Sequence, residues 1–252
     1  MTLEGRVALI TGGGRGIGRA ISLALAEDGA DVAVNYRRDK DAADETVAAI
    51  RAMGRRAEAV PGSVDVLEDT EAMAAAAISA LGHVDILVNN AGIASRGRSV
   101  ASTEPEEVER LVRTHAIGPH WMCRAVLPSM REQPRGDIVF ISSAATRHNA
   151  ANGAPYNMGK AAMEALALTL SKEERRNGIH TNIVAPGLVD TEMGRRLVKG
   201  AAGVEDISTL DLASPFGRVC QPEDVAAVVR WLVSDGAGYL NGERIYVDGG
   251  AV

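Results

Sequence analysis

Hydrophobic and polar positions along the chain alternate between two textures. Short apolar runs, each bounded by turn-forming residues, occupy positions 6–11, 31–36, 57–60, 85–89, 137–142, 181–184 and 244–247. Between them lie longer stretches in which apolar residues recur every three or four positions, as at 42–53 and 68–81. The first texture predicts strands buried on both faces and the second predicts amphipathic helices. The first strand hands over to a helix carrying Ile21, Leu23, Leu25 and Ala26. Strands alternating with helices predict an α/β fold, a doubly wound parallel sheet of Rossmann-like form.

No repeat, low-complexity tract or Pro/Gly/Ser-rich linker divides the sequence, so residues 1–252 are expected to form one domain. Residues 193–215 differ in texture. Lys199, Gly200, Ala201, Ala202, Gly203, Glu205 and Asp206 break the periodicity ahead of Pro215 and Gly217. That segment is expected to be a mobile excursion, either a substrate lid or an ordinary surface loop.

Composition narrows the function classes. With 46% apolar and 24% charged residues the chain can build a core. A net charge of -6 argues against a nucleic-acid or anionic-membrane partner. Cys123 and Cys220 form no Cys-x-x-Cys pair, which predicts neither a disulfide framework nor a metal site and suits a reducing cytoplasm. No apolar run is long enough for a membrane span, and the charged start does not read as a signal peptide.

Glycines cluster where the first strand meets its helix: Thr11-Gly12-Gly13-Gly14-Arg15-Gly16-Ile17-Gly18. There they let backbone approach a pyrophosphate at a helix N-terminus, although a tight turn alone would also use them. The spacing differs from Gly-x-Gly-x-x-Gly and lacks the Gly-Lys-Ser/Thr ending of a triphosphate loop. After the second strand, Asn35-Tyr36-Arg37-Arg38 offers no carboxylate for an adenosine ribose and two guanidinium groups instead. Arg37 and Arg38, joined by Arg15, therefore favour the 2'-phosphate of NADP(H) over NAD(H), the alternative being a solvated basic loop.

Tyr156 and Lys160 stand four residues apart, on one face of a helix. A cation beside a phenol lowers its pKa from about 10, which suits proton transfer. Taken alone such a pair is more often surface decoration. Ser143, at the end of the strand at 137–142, supplies the context, because ligands bind at strand C-termini in such sheets and its hydroxyl can polarise a carbonyl.

The order of these motifs, with Asn89-Asn90-Ala91-Gly92 and Pro186-Gly187 up to Thr191, resembles the short-chain dehydrogenases/reductases over nearly the whole chain. Asn182-Ile183-Val184-Ala185-Pro186-Gly187 and the ending Val247-Asp248-Gly249-Gly250 look most like the 3-oxoacyl-carrier-protein reductase branch. The resemblance implies that Asp65 and Val66 flank an adenine and that Asn89, Ala91 and Gly92 line the cofactor cleft. It further implies that Lys160 also holds the nicotinamide ribose and Thr191 contacts the carboxamide region, with Tyr156, Pro186 and Gly187 also binding the cofactor. Ser143, Tyr156 and Lys160 would be catalytic, acting on a small-molecule or acyl-thioester substrate. His115 falls where the family has an asparagine that positions a water. It replaces that asparagine, weakens the relay, marks a different relay, or is simply structural.

A homotetramer or homodimer is the family expectation, consistent with residues 161–170 being apolar on more than one helical face. Arg96, Arg98, Arg147, Arg195 and Arg196 would meet an acidic substrate or merely solvate the surface. A non-catalytic cofactor-binding scaffold and a sugar-nucleotide epimerase are the rival classes. The intact Ser143, Tyr156 and Lys160 count against the first, and the missing larger second domain against the other.

Overall fold

Each predicted strand is present in the computed structural model, which describes residues 2–251. Strands β1 (Val7–Ile10), β2 (Asp31–Tyr36), β3 (Ala57–Pro61), β4 (Ile86–Asn89), β5 (Gly136–Ile141), β6 (Ile179–Pro186) and β7 (Arg244–Val247) form one parallel sheet ordered β3-β2-β1-β4-β5-β6-β7. Boundaries shift by a residue or two, except that β6 runs on to Pro186 because β7 pairs with its second half. Strand order reverses between β1 and β4, and the crevice above that point is where such sheets bind ligands.

The strands read as unbroken apolar runs because neighbouring residues face opposite layers, both covered. Ala8 and Ile10 pack with Ile21 and Leu25 of α1 (Gly16–Glu27), Val47 and Ile50 of α2 (Lys40–Ala52), and residues of the last helix. Val7 and Leu9 face the other way, towards Met73 of α3 (Leu67–Leu81). On that second layer α4 (Pro105–Val112) leads through a π-helical turn, Arg113–Ile117, into α5 (Gly118–Met130), which supplies Met122 and Val126. The short α6 (Ala145–His148) precedes the long α7 (Ala154–Glu174), whose Met163 and Leu170 complete the layer. Phe140 at its centre is fully buried, and truncating such a side chain costs about 3–5 kcal/mol.

Residues 193–215 are a correction to the sequence reading. They are not an irregular excursion: α8 (Glu192–Ala202) and a 3₁₀ segment, Ile207–Ala213, account for most of them. Val198, Ile207 and Val219 make a small apolar cluster of their own. Thr191 caps α8 by accepting from the Gly194 N–H at 3.1 Å. Charge-rich composition hid a helix that buries only a narrow stripe. Helix α9 (Pro222–Leu232) then returns to the first layer, where Arg230 pairs with the buried Asp28 beside α1.

At the N-terminal edge of the sheet Asp137 is gripped by Arg6 at 2.7 Å and Arg135 at 3.0 Å. This clamp holds the edge opposite the crevice. No helix among the described residues is long and apolar enough to cross a membrane.

Candidate active site

The glycine turn is held open by side chains from two neighbouring strands. Asn35, buried at the end of β2, accepts from the Gly12 N–H at 3.1 Å and donates to Val60 and Gly62 carbonyls. Asn90 donates to the carbonyls of Thr11 at 2.9 Å and Gly12 at 3.2 Å. The Thr11 hydroxyl accepts from the N–H groups of Asn90 and Ala91. A Cβ at Gly18 would lie 2.1 Å from the Gly12 carbonyl oxygen, so helix and turn approach as only glycine allows. Gly16 has φ +51°.

No side chain caps α1, and its first turn carries no acidic residue, so its N–H groups remain free for an anion. Ile17 packs partly buried behind this turn. The cradle therefore fits the pyrophosphate of a dinucleotide. Among the described residues no cluster of three or more His, Cys, Asp or Glu is arranged to hold a metal ion.

Around this cradle the expected cofactor residues fall into place unevenly. Arg37 and Arg38 are exposed beyond β2 and form no ion pair among the described residues. Arg15, expected to join them, instead pairs with Glu192 of α8 at 2.9 Å. Asp65 accepts from the Ser63 hydroxyl, and Val66 stands 40% exposed at the start of α3. The Asn89 side chain is buried and donates to Cys123 Sγ at 3.6 Å, on the core side of β4, which leaves any part of Asn89 in lining the cleft to its backbone. Strand alternation turns the side chain inwards, and Asn90 rather than Asn89 reaches the glycine turn. Thr191 faces that turn from the other side, since a Cβ on Gly16 would come within 3.3 Å of its methyl. Gly187 donates to Val247 at 3.0 Å, and the Pro186 carbonyl accepts from Ala144 at 2.8 Å, tying β6 to the segment that carries Ser143.

Helix α7 brings Tyr156 and Lys160 together, with the ammonium 5.8 Å from the phenol ring centroid. Lys160 is buried and donates to the Ile141 carbonyl at 2.6 Å. Burial pushes its pKa down to about 7, against an opposing pull from Glu164. Tyr156 is shifted up by burial, with the Ser143 hydroxyl pulling it down. The expectation that Lys160 lowers the Tyr156 pKa is therefore not met. Desolvation outweighs it, and the amine is itself depressed towards neutrality. Ser143 sits just past β5, its Oγ accepting from the Ala145 N–H at 3.2 Å.

His115, in the π-helical turn, is 1% exposed. Its Nε2 lies 2.8 Å from the Ile93 carbonyl, which assigns the proton to Nε2 and leaves Nδ1 as a buried acceptor with no partner. Burial, then Lys160, drives its pKa down to about 3, so the ring is neutral at physiological pH. A Cβ on Gly92 would come within 2.8 Å of the His115 ring, and one on Gly159 within 3.0 Å of its Cβ, so both glycines make room for it.

Of the five arginines considered for an acidic substrate, Arg98, Arg195 and Arg196 pair with Glu104, Asp190 and Glu192. Arg147 stacks on Tyr246, 5.0 Å from the ring centroid, and the Arg96 N–H donates to Glu107 at 2.7 Å. An open hollow of about 420 Å³ lies beside Tyr156 rather than over it, lined by Val100, Asn149, Asn157 and Met158 among others.

Sequence reasoning passed over Asn35 and Glu164. Each announces itself as a lone polar residue in an apolar frame, Asn35 inside β2 and Glu164 four residues beyond Lys160 on α7.

Known proteins resemble this chain in sequence and fold. A family model described as enoyl-(acyl carrier protein) reductase matches residues 12–252. The chain is 37% identical over 256 residues to versicolorin reductase 1 of Aspergillus parasiticus, covering 99% of this chain and 97% of that one. It is 35% identical over 251 residues to a 3-oxoacyl-[acyl-carrier-protein] reductase of Synechocystis, covering 99% and 98%. Among solved structures it is similar to a 7 alpha-hydroxysteroid dehydrogenase complexed with NADH and 7-oxo glycochenodeoxycholic acid. The TM-score is 0.91 at 31% identity, covering 100% of this chain and 96% of that one.

Proposed function

The chain belongs to the short-chain dehydrogenase/reductase family of oxidoreductases acting on C=O and CH–OH groups, and from that footing we propose that it reduces a ketone to a secondary alcohol with NADPH. A 3-oxoacyl thioester is the substrate class proposed first. The observation that carries the reading is the meeting of Ser143, Tyr156 and Lys160 at the C-terminal end of β5, beside the glycine cradle.

The cofactor, when bound, supplies hydride to the carbonyl carbon. Gly12, Arg15, Gly16, Ile17 and Gly18 would hold its pyrophosphate, and Arg37 with Arg38 a 2'-phosphate. Asp65 and Val66 would flank the adenine, with Ala91, Gly92, Pro186, Gly187 and Thr191 along the cleft. Ser143 and Tyr156 hold the substrate oxygen between two hydroxyls. Tyr156 gives that oxygen its proton, the raised pKa keeping the phenol protonated beforehand. Lys160 stabilises the phenolate left behind, and its protonated form does so best. His115 acts as a neutral positioning residue, packed edge-on against the Tyr156 ring, its Nδ1 an unpaired acceptor.

Support for NADPH comes from two unpaired guanidinium groups at the end of β2 and the absence of a carboxylate at positions 35–38. The competing reading, alcohol oxidation with NAD, draws on the likeness to the hydroxysteroid dehydrogenase solved with NADH. Helix α8 is proposed to close over the substrate, hinged where Arg15 meets Glu192. Self-association is proposed through the exposed stripe Met158, Ala161, Ala162 and Ala165 of α7. The two free cysteines suit a reducing cytoplasm.

Fluorescence titration with NADPH and NADH, followed by turnover of a β-keto ester or 3-oxoacyl thioester, tests the proposal. Tighter NADPH binding with turnover supports it. Preference for NADH overturns the role given to Arg37 and Arg38, and tight binding without turnover of a broad ketone panel leaves a scaffold.

A further inference from the structure

Helix α7 carries a third ionisable residue in register with its reacting pair. Tyr156, Lys160 and Glu164 follow one another at four-residue spacing, so they line one helical face. Glu164 is 5% exposed, an unusual place for a carboxylate, and it is fully engaged. Its Oε1 accepts from the Ser142 hydroxyl at 2.6 Å and lies 2.9 Å from the Thr146 hydroxyl. Its Oε2 pairs with Arg244 of β7 at 3.0 Å.

Those hydroxyls flank the proposed catalytic serine. Ser142 precedes Ser143, and Thr146 closes the turn after it, its hydroxyl also 3.0 Å from the Ser143 carbonyl. Meanwhile Lys160 donates to Ile141, the residue before Ser142. One short stretch of chain, residues 141–146, is thus pinned by two consecutive turns of α7. An apolar side chain here would leave the buried Ser142 hydroxyl and the Arg244 guanidinium without this partner, so the carboxylate is held by the segment that it pins.

We propose that Glu164 is a positioning residue of the reaction: its buried carboxylate fixes the segment bearing Ser143 and sets a negative charge one helical turn from the Lys160 ammonium. The assignment rests on the reductase reading above. Its electrostatic part agrees with the direction in which Glu164 acts on Lys160, opposing the effect of burial. Arg244 moderates that charge from the far side.

The other ionisable groups around Lys160 are few. Tyr156 shares its helix, and His115 faces it neutral from the π-helical turn. Glu107 of α4 is occupied by the Arg96 N–H, and Arg147 and His148 of α6 are exposed. On the strands beneath, Asp137 is clamped by Arg6 and Arg135, and His180 faces the Leu240 carbonyl at 3.2 Å, both at the far ends of β5 and β6.

The chain has four lysines, and Lys40, Lys172 and Lys199 are exposed, so the ε-carbon of Lys160 can be followed by 13C-lysine NMR. Its titration midpoint in the intact protein is the readout, assigned through the signal lost in Lys160→Arg. Glu164→Gln keeps shape and removes charge, and the midpoint should fall by about two pH units, the size expected for unit charges a helical turn apart at an effective dielectric near 20. Arg244→Gln, at a half-exposed edge, should move it in the opposite direction. A purely structural Glu164 would lower stability without opposed shifts. Equal midpoints in wild type and either folded variant overturn the assignment. Because this measurement needs no substrate, failure of wild type to turn over any ketone would count against the reductase reading and not against Glu164. In an active enzyme, Glu164→Gln should lower kcat about tenfold and move the alkaline limb of the kcat profile for reduction to lower pH, with KM for NADPH within about twofold.

Discussion

The imidazole of His115 meets the Tyr156 ring edge-on, with centroids 5.2 Å apart and planes at 77°. Its Nε2 is tied to Ile93, so the ring is fixed against the phenol from below while Nδ1 stays unpaired. Burial and the nearby Lys160 keep it uncharged, with its pKa near 3 instead of the usual 6.5.

That depression has a sign in stability. An unfolded chain protonates this histidine below about pH 6.5, whereas the folded chain resists until about pH 3. Its contribution is therefore intact above pH 6.5 and is lost as pH falls through that window. Between pH 7 and pH 5 it should cost about 2 kcal/mol. Urea unfolding of wild type and His115→Asn at both pH values measures it, and the variant should lose that much less. An equal loss in both would show that His115 titrates normally.

Lys160 behaves in the same sense at higher pH. Its pKa falls from 10.5 to about 7, so folding is opposed most where the unfolded chain holds the proton and the folded chain does not favour it, and the contribution recovers as pH rises from about 7 to 10.5. Lys160→Met should raise stability at neutral pH by about 1–3 kcal/mol, a rise in Tm of several degrees, while abolishing turnover. Thermal melts at pH 7 and pH 10 should show the gain shrinking at the higher pH. A destabilised variant would mean that the bond to Ile141 outweighs desolvation.

Arg15 and Glu192 join the glycine turn to the first turn of α8 across the cofactor cleft. Both side chains are more than half exposed, so the pair is worth only about 0.2–1 kcal/mol. Glu192→Gln frees Arg15 and should tighten NADPH binding about two- to fivefold, an effect that salt suppresses. Fluorescence titrations at 0.05 and 0.5 M salt check this, and weaker binding in the variant would place Glu192 among the groups that hold the cofactor.

Arg37→Leu with Arg38→Leu should raise the Kd for NADPH about 10- to 100-fold, since at this exposed site the two charge-assisted contacts to phosphate together contribute about 1.5–3 kcal/mol. Binding of NADH should change less than about threefold. Equal weakening of both cofactors would assign these arginines to the common part of the dinucleotide.

Much of the fold was legible because the inner strands are buried on both faces and therefore read as unbroken apolar runs, as Val7 to Ile10 do. The glycine turn was legible because close approach excludes any Cβ, as at Gly18. The direction of the Asn89 side chain was not legible, because it depends on which face of β4 it takes, and a one-residue step reverses that. Helix α8 was missed because its apolar stripe is narrow and its charges pair locally, Lys199 with Glu205 and Arg196 with Glu192. The Tyr156–Lys160 pair was legible from its spacing together with Ser143 upstream and the order of the motifs around it. Its electrostatics depend on burial, which only packing determines.

The proposed chemistry stands on the Tyr156 hydroxyl as the group that delivers the proton. Turnover of a β-keto ester with NADPH, measured beside NADPH affinity in wild type and Tyr156→Phe, tests it most directly. The substitution removes one oxygen atom and leaves the ring against His115. Turnover should fall by about 10³-fold or more with the Kd for NADPH within about threefold. Turnover within about tenfold of wild type would contradict the account, because the proton would then come from another group.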